Sequence, residues 1–71
     1  VIQKIILMEI GKHLRKKRNE KRFSQQEVAD YLGISQRTYS NFESDKSTPS
    51  ILQLKKISEL LEFDFLKFFY V

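Results

Sequence analysis

Four polar side chains with specific hydrogen-bonding chemistry follow Ser35 within two helical turns: Gln36, Arg37, Ser40 and Asn41. The guanidinium of Arg37 matches the O6 and N7 acceptors of guanine, and the amides of Gln36 and Asn41 match N6 and N7 of adenine. Each such bidentate contact discriminates between bases by about 1–3 kcal/mol. We therefore hypothesise that these residues read base edges. The alternative is that they are ordinary exposed polar residues.

Catalytic and metal-binding patterns are missing from the sequence. The chain has 71 residues, one His and no Cys, which excludes a disulfide framework and a thiolate metal site. His13 has an acid four residues away only at Glu9, and no nucleophile beside it completes an acid–base pair. We expect no enzymatic activity and no cofactor, and we interpret His13 as facing solvent or a phosphate.

The residues before Gln36 predict a helix with well-defined ends. Ser24 and Glu27 form the S-x-x-E pattern of a capping box, so a helix is predicted from residue 25 to about Leu32. Gly33 follows, where a left-handed residue ends a helix at the lowest conformational cost.

A second capped helix follows after a very short turn. Ser35 caps a helix predicted to run from residue 36 to about Ser44, with Tyr39 and Phe42 on its apolar, core-facing side. Two helices joined by a tight turn containing Gly make a helix-turn-helix unit, here at about residues 25–44. Such a unit leaves its second helix protruding, so that the first residues of that helix reach base edges in the major groove.

The remaining elements are also predicted to be helical. A first helix is expected from residue 8 or 9 to about Lys21, and Asp64 is expected to cap a short fifth helix that ends at residue 68 or 69. Ser50 is expected to cap a fourth helix, whose apolar stripe would be Ile51, Leu54, Ile57, Leu60 and Leu61. The predicted fold class is all-α, a compact bundle of about five helices in one domain over residues 8–71.

Positive charge is concentrated in one segment. The net charge is +4, and residues 12–22 hold seven of the 13 basic residues and a single acid, Glu20. That distribution favours an anionic polymer as partner. A solvated helix face and a basic segment read by a targeting receptor are the alternatives.

The first seven residues, VIQKIIL, are apolar but too short to cross a bilayer, which takes about 20 residues. They lack the charge order and cleavage site of a signal peptide. We interpret residues 1–7 as an N-terminal arm or an upstream remnant, with Met8 as a possible start. The absence of cysteine and of export signals predicts a cytoplasmic protein.

Together these residues resemble a known family. The stretch SQQEVADYLGISQRTYSNFESDKSTPS is similar to the lambda-repressor and Cro-type helix-turn-helix domain of XRE-like transcriptional regulators, and the resemblance covers about residues 9–69. Its markers are Arg18, Ser24-Gln25, Ala29, Gly33, Ile34-Ser35, Phe42-Glu43 and Pro49-Ser50.

The resemblance implies roles for individual residues. Gln25 and Lys46 would hold backbone phosphates of double-stranded DNA, while Arg18 and Glu43 would form a partly buried salt bridge. Lys21 and Arg22 are further phosphate candidates. The resemblance also implies base reading by Gln36, Arg37, Ser40 and Asn41.

The sequence departs from the family pattern at three places where the family often has glycine. Here these places hold Arg22, Asp45 and Glu62. If the backbone keeps a positive φ there, each non-glycine residue costs of order 1 kcal/mol.

The C-terminal segment, EFDFLKFFYV, is unusually aromatic. Helical spacing would bury Phe65, Leu66 and Phe69, and Phe63 is expected to pack inward. This leaves an apolar patch, Phe68, Tyr70 and Val71. We expect a homodimer through this patch, which would set two recognition helices about 34 Å apart. The alternative is that a longer native protein continues past Val71 and covers the patch.

The function expected from these observations is sequence-specific binding of double-stranded DNA by a transcriptional regulator, a repressor acting as a homodimer. The alternative is an antitoxin-type or other protein-interaction module with the same fold. The sequence does not reveal the operator or the direction of regulation.

Overall fold

The computed structural model describes residues 10–64 and contains four helices in that range. They are α1 (Ile10–Glu20), α2 (Gln25–Leu32), α3 (Gln36–Glu43) and α4 (Ile51–Leu61). The fifth helix expected after Asp64, the N-terminal arm and the patch of Phe68, Tyr70 and Val71 lie outside the described residues. Within residues 10–64 no helix is both long enough and apolar enough to cross a membrane.

The helices begin where the capping residues predict. Ser24 and Glu27 form a complete capping box at the start of α2. Ser50 and Gln53 form a second one at the start of α4. Ser35 accepts the backbone N–H of Thr38 at the start of α3. Since each cap satisfies an otherwise unpaired N–H group, these short helices start at fixed positions.

All four helices within residues 10–64 end with the same closing hydrogen bond. The residue after a left-handed position donates its N–H to a carbonyl five residues earlier, as in the bonds of Ile34 to Ala29 (3.0 Å) and Phe63 to Ser58 (3.1 Å). The left-handed residues are Arg22, Gly33, Asp45 and Glu62. The backbone therefore keeps a positive φ at the three positions where glycine is replaced.

The core lies where the helices meet and contains one buried aromatic pair. Tyr39 and Phe42 of α3 pack edge to face with their ring centroids 6.2 Å apart. Tyr39 is fully buried, which confirms the expectation for this residue. The other buried apolar residues are Ile10, Leu14, Val28, Ala29, Leu54, Ile57 and Leu61. Phe63 packs against the edge of this core, as expected.

Two expectations about side-chain burial are wrong. Ile51 was expected on the apolar stripe of α4 but is 66% exposed, because it is the first residue of the helix and precedes the turn that reaches the core. His13 was expected to face solvent or a phosphate but is half-buried. Its ring packs edge to face on Phe63 at a centroid distance of 5.0 Å.

Helix α1 crosses the end of α3 at very short range. A Cβ atom at Gly11 would overlap the carbonyl oxygen of Glu43 and would lie 2.8 Å from that of Phe42. The backbone N–H of Gly11 donates to Oδ1 of Asp45 at 3.1 Å. Only glycine allows this approach, and the approach brings α1 side chains against the C-terminal end of α3.

Candidate nucleic-acid interface

Helix α3 exposes its first turn and buries its opposite side. Gln36, Arg37 and Thr38 are exposed, whereas Tyr39 is buried. The turn between α2 and α3 is closed by the left-handed Gly33, with φ 72°. The first turn of α3 is therefore open to a ligand while the helix stays anchored in the core.

Ser40 and Asn41, the second pair of expected base readers, are half-buried. The carbonyl oxygen of Asn41 accepts the backbone N–H of Lys46 at 2.9 Å. The loop after α3 is thus folded back onto α3, and exposed Lys46 lies next to its second turn.

Gln25, at the start of α2, connects both ends of α3. Its Nε2 donates to Oε1 of Glu43 at 2.9 Å, and its Oε1 accepts Nε2 of Gln36 at 3.4 Å. A carboxylate can only accept, so Glu43 fixes the direction of the Gln25 amide. The Gln25 oxygen then faces Gln36, whose own Oε1 and second N–H remain available for a base edge.

The carboxylate of Glu43 is the centre of a buried polar cluster. Arg18 binds it in bidentate fashion, with Nε–Oε2 at 2.6 Å and Nη2–Oε1 at 3.1 Å. Arg18 also donates to the carbonyl of Phe23 at 2.9 Å, which ties the end of α1 to the following turn. Arg15 lies farther away, 3.6 Å from Oε1, with a side chain that is 55% exposed.

Glu43 stays ionised despite its burial. Burial alone would raise its pKa, but hydrogen bonds from Arg18 and Gln25 outweigh burial, and the pKa lies below the ordinary 4.5. The hydroxyl of Tyr39 is buried beside this carboxylate and has no hydrogen bond of acceptable geometry to any described residue. Burial raises the pKa of Tyr39, so it remains a neutral phenol.

The basic residues of α1 and the turn after it differ in their surroundings. Arg18 is built into the buried cluster, and Lys21 forms an ion pair with Glu62 at 3.1 Å. Arg22 is exposed at a left-handed position. Lys12, Arg15 and Lys16 of α1 are exposed. Only part of the positive segment is therefore available to an anionic partner.

Comparison with known proteins identifies the fold. A family model described as helix-turn-helix, of the Cro/C1 type, matches residues 14–68. The chain belongs to this helix-turn-helix family. No solved structure matches the chain significantly.

Two relatives in the helix-turn-helix family come from Bacillus subtilis (strain 168). The chain is 41% identical over 51 residues to the SPbeta prophage-derived uncharacterized HTH-type transcriptional regulator YonR, covering 72% of this chain and 47% of YonR. It is 43% identical over 58 residues to the uncharacterized HTH-type transcriptional regulator YqaF, covering 82% of this chain and 76% of YqaF. The chain thus spans about half the length of YonR.

Three features of this helix-turn-helix domain were not found from its sequence. They are the bond from Gln25 to Glu43, the approach of Gly11 to α3, and the exposure of Thr38 beside the expected base readers. The only sequence signal for the approach of Gly11 to α3 was the presence of a glycine in an otherwise helical segment, because an isolated helical glycine often has a packing reason. The S-x-x-T spacing of Ser35 and Thr38 at the α3 cap could have indicated the exposure of Thr38.

Proposed function

We propose that this protein is a sequence-specific DNA-binding transcriptional regulator that inserts α3 into the major groove and represses by occupying its operator. The observation that carries the proposal is the first turn of α3, where Gln36 and Arg37 are exposed and Gln36 is braced by Gln25. Such a turn offers an amide and a guanidinium fork to purine edges. The transcriptional regulators YonR and YqaF support the same function.

The phosphate contacts we propose surround this turn. Gln25 has one amide N–H left after its bond to Glu43, and it lies at the N-terminus of α2, where unpaired backbone N–H groups favour an anion. Lys46 lies in the loop folded onto α3. Lys21 and Arg22 follow α1, although Lys21 must leave Glu62 to reach a phosphate. Phosphate contacts position the domain, and base contacts select the sequence.

For the oligomeric state we propose a homodimer through Phe68, Tyr70 and Val71. An apolar patch of this kind is rarely left exposed in a small domain. A two-fold dimer would place two α3 helices one DNA turn, about 34 Å, apart. Sedimentation of the 71-residue chain at micromolar concentration tests this arrangement, and a strict monomer there contradicts it.

The deciding experiment is selection of binding sequences from a random duplex library at about 150 mM salt. The DNA affinity and base preference of two protein variants are then measured. Arg37→Ala is expected to relax base preference at one position of the motif. Lys46→Ala is expected to weaken binding to all sequences alike. It should also reduce the slope of the logarithm of the binding constant against the logarithm of the salt concentration by about one, the value for one lost phosphate contact. Equal scaling of every affinity by both variants would show that these roles are assigned wrongly.

A second candidate function is a protein-interaction module, such as an antitoxin. The observation that favours it is the exposure of large apolar side chains, Tyr31 at 50%, Ile51 at 66% and Leu52 at 64%. A salt titration separates the two, because the logarithm of a DNA-binding constant falls linearly with the logarithm of the salt concentration. Weak binding to duplexes with no recovered motif would favour this second function.

A further inference from the structure

The exposed first turn of α3 contains a third residue, Thr38, that the assignment of base readers omits. Gln36, Arg37 and Thr38 are all exposed, whereas Ser40 and Asn41 are half-buried. If exposure at the start of α3 decides which side chains meet the bases, Thr38 is better placed than Ser40.

The hydroxyl of Thr38 is already engaged within the helix cap. Its Oγ1 lies 2.9 Å from Oγ of Ser35, and Ser35 Oγ also accepts the backbone N–H of Thr38 at 3.1 Å. This pair of contacts holds the side chain in one rotamer, with the hydroxyl turned toward the N-cap. The γ-methyl is then the main part of the side chain left for a ligand.

The position of Thr38 around the helix axis separates it from Gln36. Successive helical residues differ by about 100°, so Thr38 is about 200° from Gln36 across the outward face of α3, and buried Tyr39 lies on the shorter, inward arc. Arg37 and Asn41 lie between them on the outward face. Gln36 lies at the edge of the outward face where it is bonded to Gln25. Thr38 lies at the opposite edge of this face and would therefore face a different part of the groove.

We propose that Thr38 is a specificity-determining residue that recognises thymine by contact between its γ-methyl and the thymine 5-methyl group. The inference rests on the proposed insertion of α3 into the major groove. There, thymine alone among the four bases presents a methyl group, so a fixed methyl on the protein selects thymine without a hydrogen bond.

Thymine-to-uracil substitution tests the contact, because uracil lacks only the 5-methyl group. Once the operator has been selected, each thymine is replaced singly by uracil. Binding is then measured for the unsubstituted protein, Thr38→Ser and Thr38→Val. Thr38→Ser keeps the cap hydroxyl and removes the methyl, whereas Thr38→Val keeps a methyl and removes the hydroxyl.

The expected result is a thymine in the selected motif whose replacement weakens binding of the unsubstituted protein by roughly fourfold, the value for one buried methyl group. Thr38→Val should show the same penalty at that position, and Thr38→Ser should show none. Equal uracil penalties for Thr38→Ser and the unsubstituted protein at every position, or no penalty anywhere, overturn the inference. In that case the proposed DNA-reading function still stands. A library selection without any motif overturns both.

Discussion

Arg18 and Glu43 are 25 positions apart in the chain and form a bidentate ion pair in the structure, with N–O distances of 2.6 and 3.1 Å. The Glu43 side chain is fully buried and that of Arg18 is 13% exposed. The pair joins α1 to the end of α3, and Glu43 also binds Gln25 at the start of α2. One carboxylate therefore connects the three helices that carry the proposed interface.

Removing the arginine should be far more costly than removing its neighbour. Arg18→Met leaves Glu43 charged and buried without its main partner, and we expect it to lower the free energy of unfolding by about 3–5 kcal/mol. Arg15→Met removes a contact of 3.6 Å from a mostly exposed side chain, and we expect a loss below about 1 kcal/mol. Urea denaturation followed by circular dichroism measures both.

A double variant distinguishes the stability lost with the ion pair from the cost of leaving the Glu43 charge buried and unpaired. Arg18→Met with Glu43→Leu removes both charges, so it should recover much of the stability lost in Arg18→Met alone. Equal losses for Arg18→Met and Arg15→Met would contradict the central role assigned to the bidentate pair.

Acid should weaken the domain through Glu43. Its pKa is lowered in the folded state from an ordinary value of 4.5, so the unfolded chain binds the proton more readily. The stabilisation from this group is therefore complete above the unfolded-state pKa and decreases as the pH falls through the folded-state pKa. Urea midpoints between about pH 6 and pH 3 should decline more steeply for the unsubstituted chain than for the variant lacking both Arg18 and Glu43. Parallel slopes would assign the acid sensitivity to other carboxylates.

Gln25 should influence base preference as well as affinity, because its amide connects Glu43 to Gln36. We expect Gln25→Leu to weaken binding to all duplexes, through loss of a phosphate contact, and also to reduce discrimination at the base read by Gln36. Lys46→Ala is the matched control, since it should lower affinity without changing discrimination. Relative affinities for the four bases at each operator position provide the measurement. A uniform loss for Gln25→Leu would limit Gln25 to phosphate binding.

Much of the fold could be predicted because its signals are local. Ser24 and Ser35 fix where α2 and α3 begin, and Gly33 fixes where α2 ends. The predicted bounds of both helices agree with the structure to within one residue. Tyr39 was expected in the core and is buried there. Ile51 was assigned wrongly, because helical periodicity shows which side of a helix is apolar but not which turn of the helix meets the core.

The internal contacts of the site could not be predicted in the same way. Gln25 meets Glu43 across 18 positions, and Gly11 meets Asp45 across 34. Such contacts depend on the angle and distance at which helices cross, and the spacing of residues within one helix contains no such information. The resemblance to a family supplied the pairing of Arg18 with Glu43, but not the place of Gln25 beside that pair.

The left-handed positions offer a route to higher stability. Replacing Arg22 or Glu62 by Gly relieves a positive φ, and we expect each change to raise the free energy of unfolding by about 1 kcal/mol. Glu62→Gly also removes an exposed ion pair with Lys21, which contributes little. Asp45→Gly should gain less, because it removes the hydrogen bond to the backbone N–H of Gly11. Thermal unfolding of the three variants checks the order. An equal gain for Asp45→Gly would mean that its bond to α1 contributes no stability.

Gly11 should tolerate no side chain, for a reason different from that at Gly33. An added methyl at Gly11 overlaps the carbonyl oxygen of Glu43, so α1 must move away from α3. We expect Gly11→Ala to lower the free energy of unfolding by about 1–3 kcal/mol, although alanine favours helix formation. Gly33→Ala is the control, since it meets open space and costs only the strain of a positive φ, about 1 kcal/mol.

Combining each glycine variant with Arg18→Met shows whether the close approach positions the ion pair. A displaced α1 carries Arg18 away from Glu43. The double variant Gly11→Ala with Arg18→Met should therefore lose less stability than the sum of the losses of the two single variants. The losses from Gly33→Ala and Arg18→Met should add. Additive losses in both combinations would mean that Arg18 finds Glu43 even when α1 shifts, so the pair would not depend on the glycine.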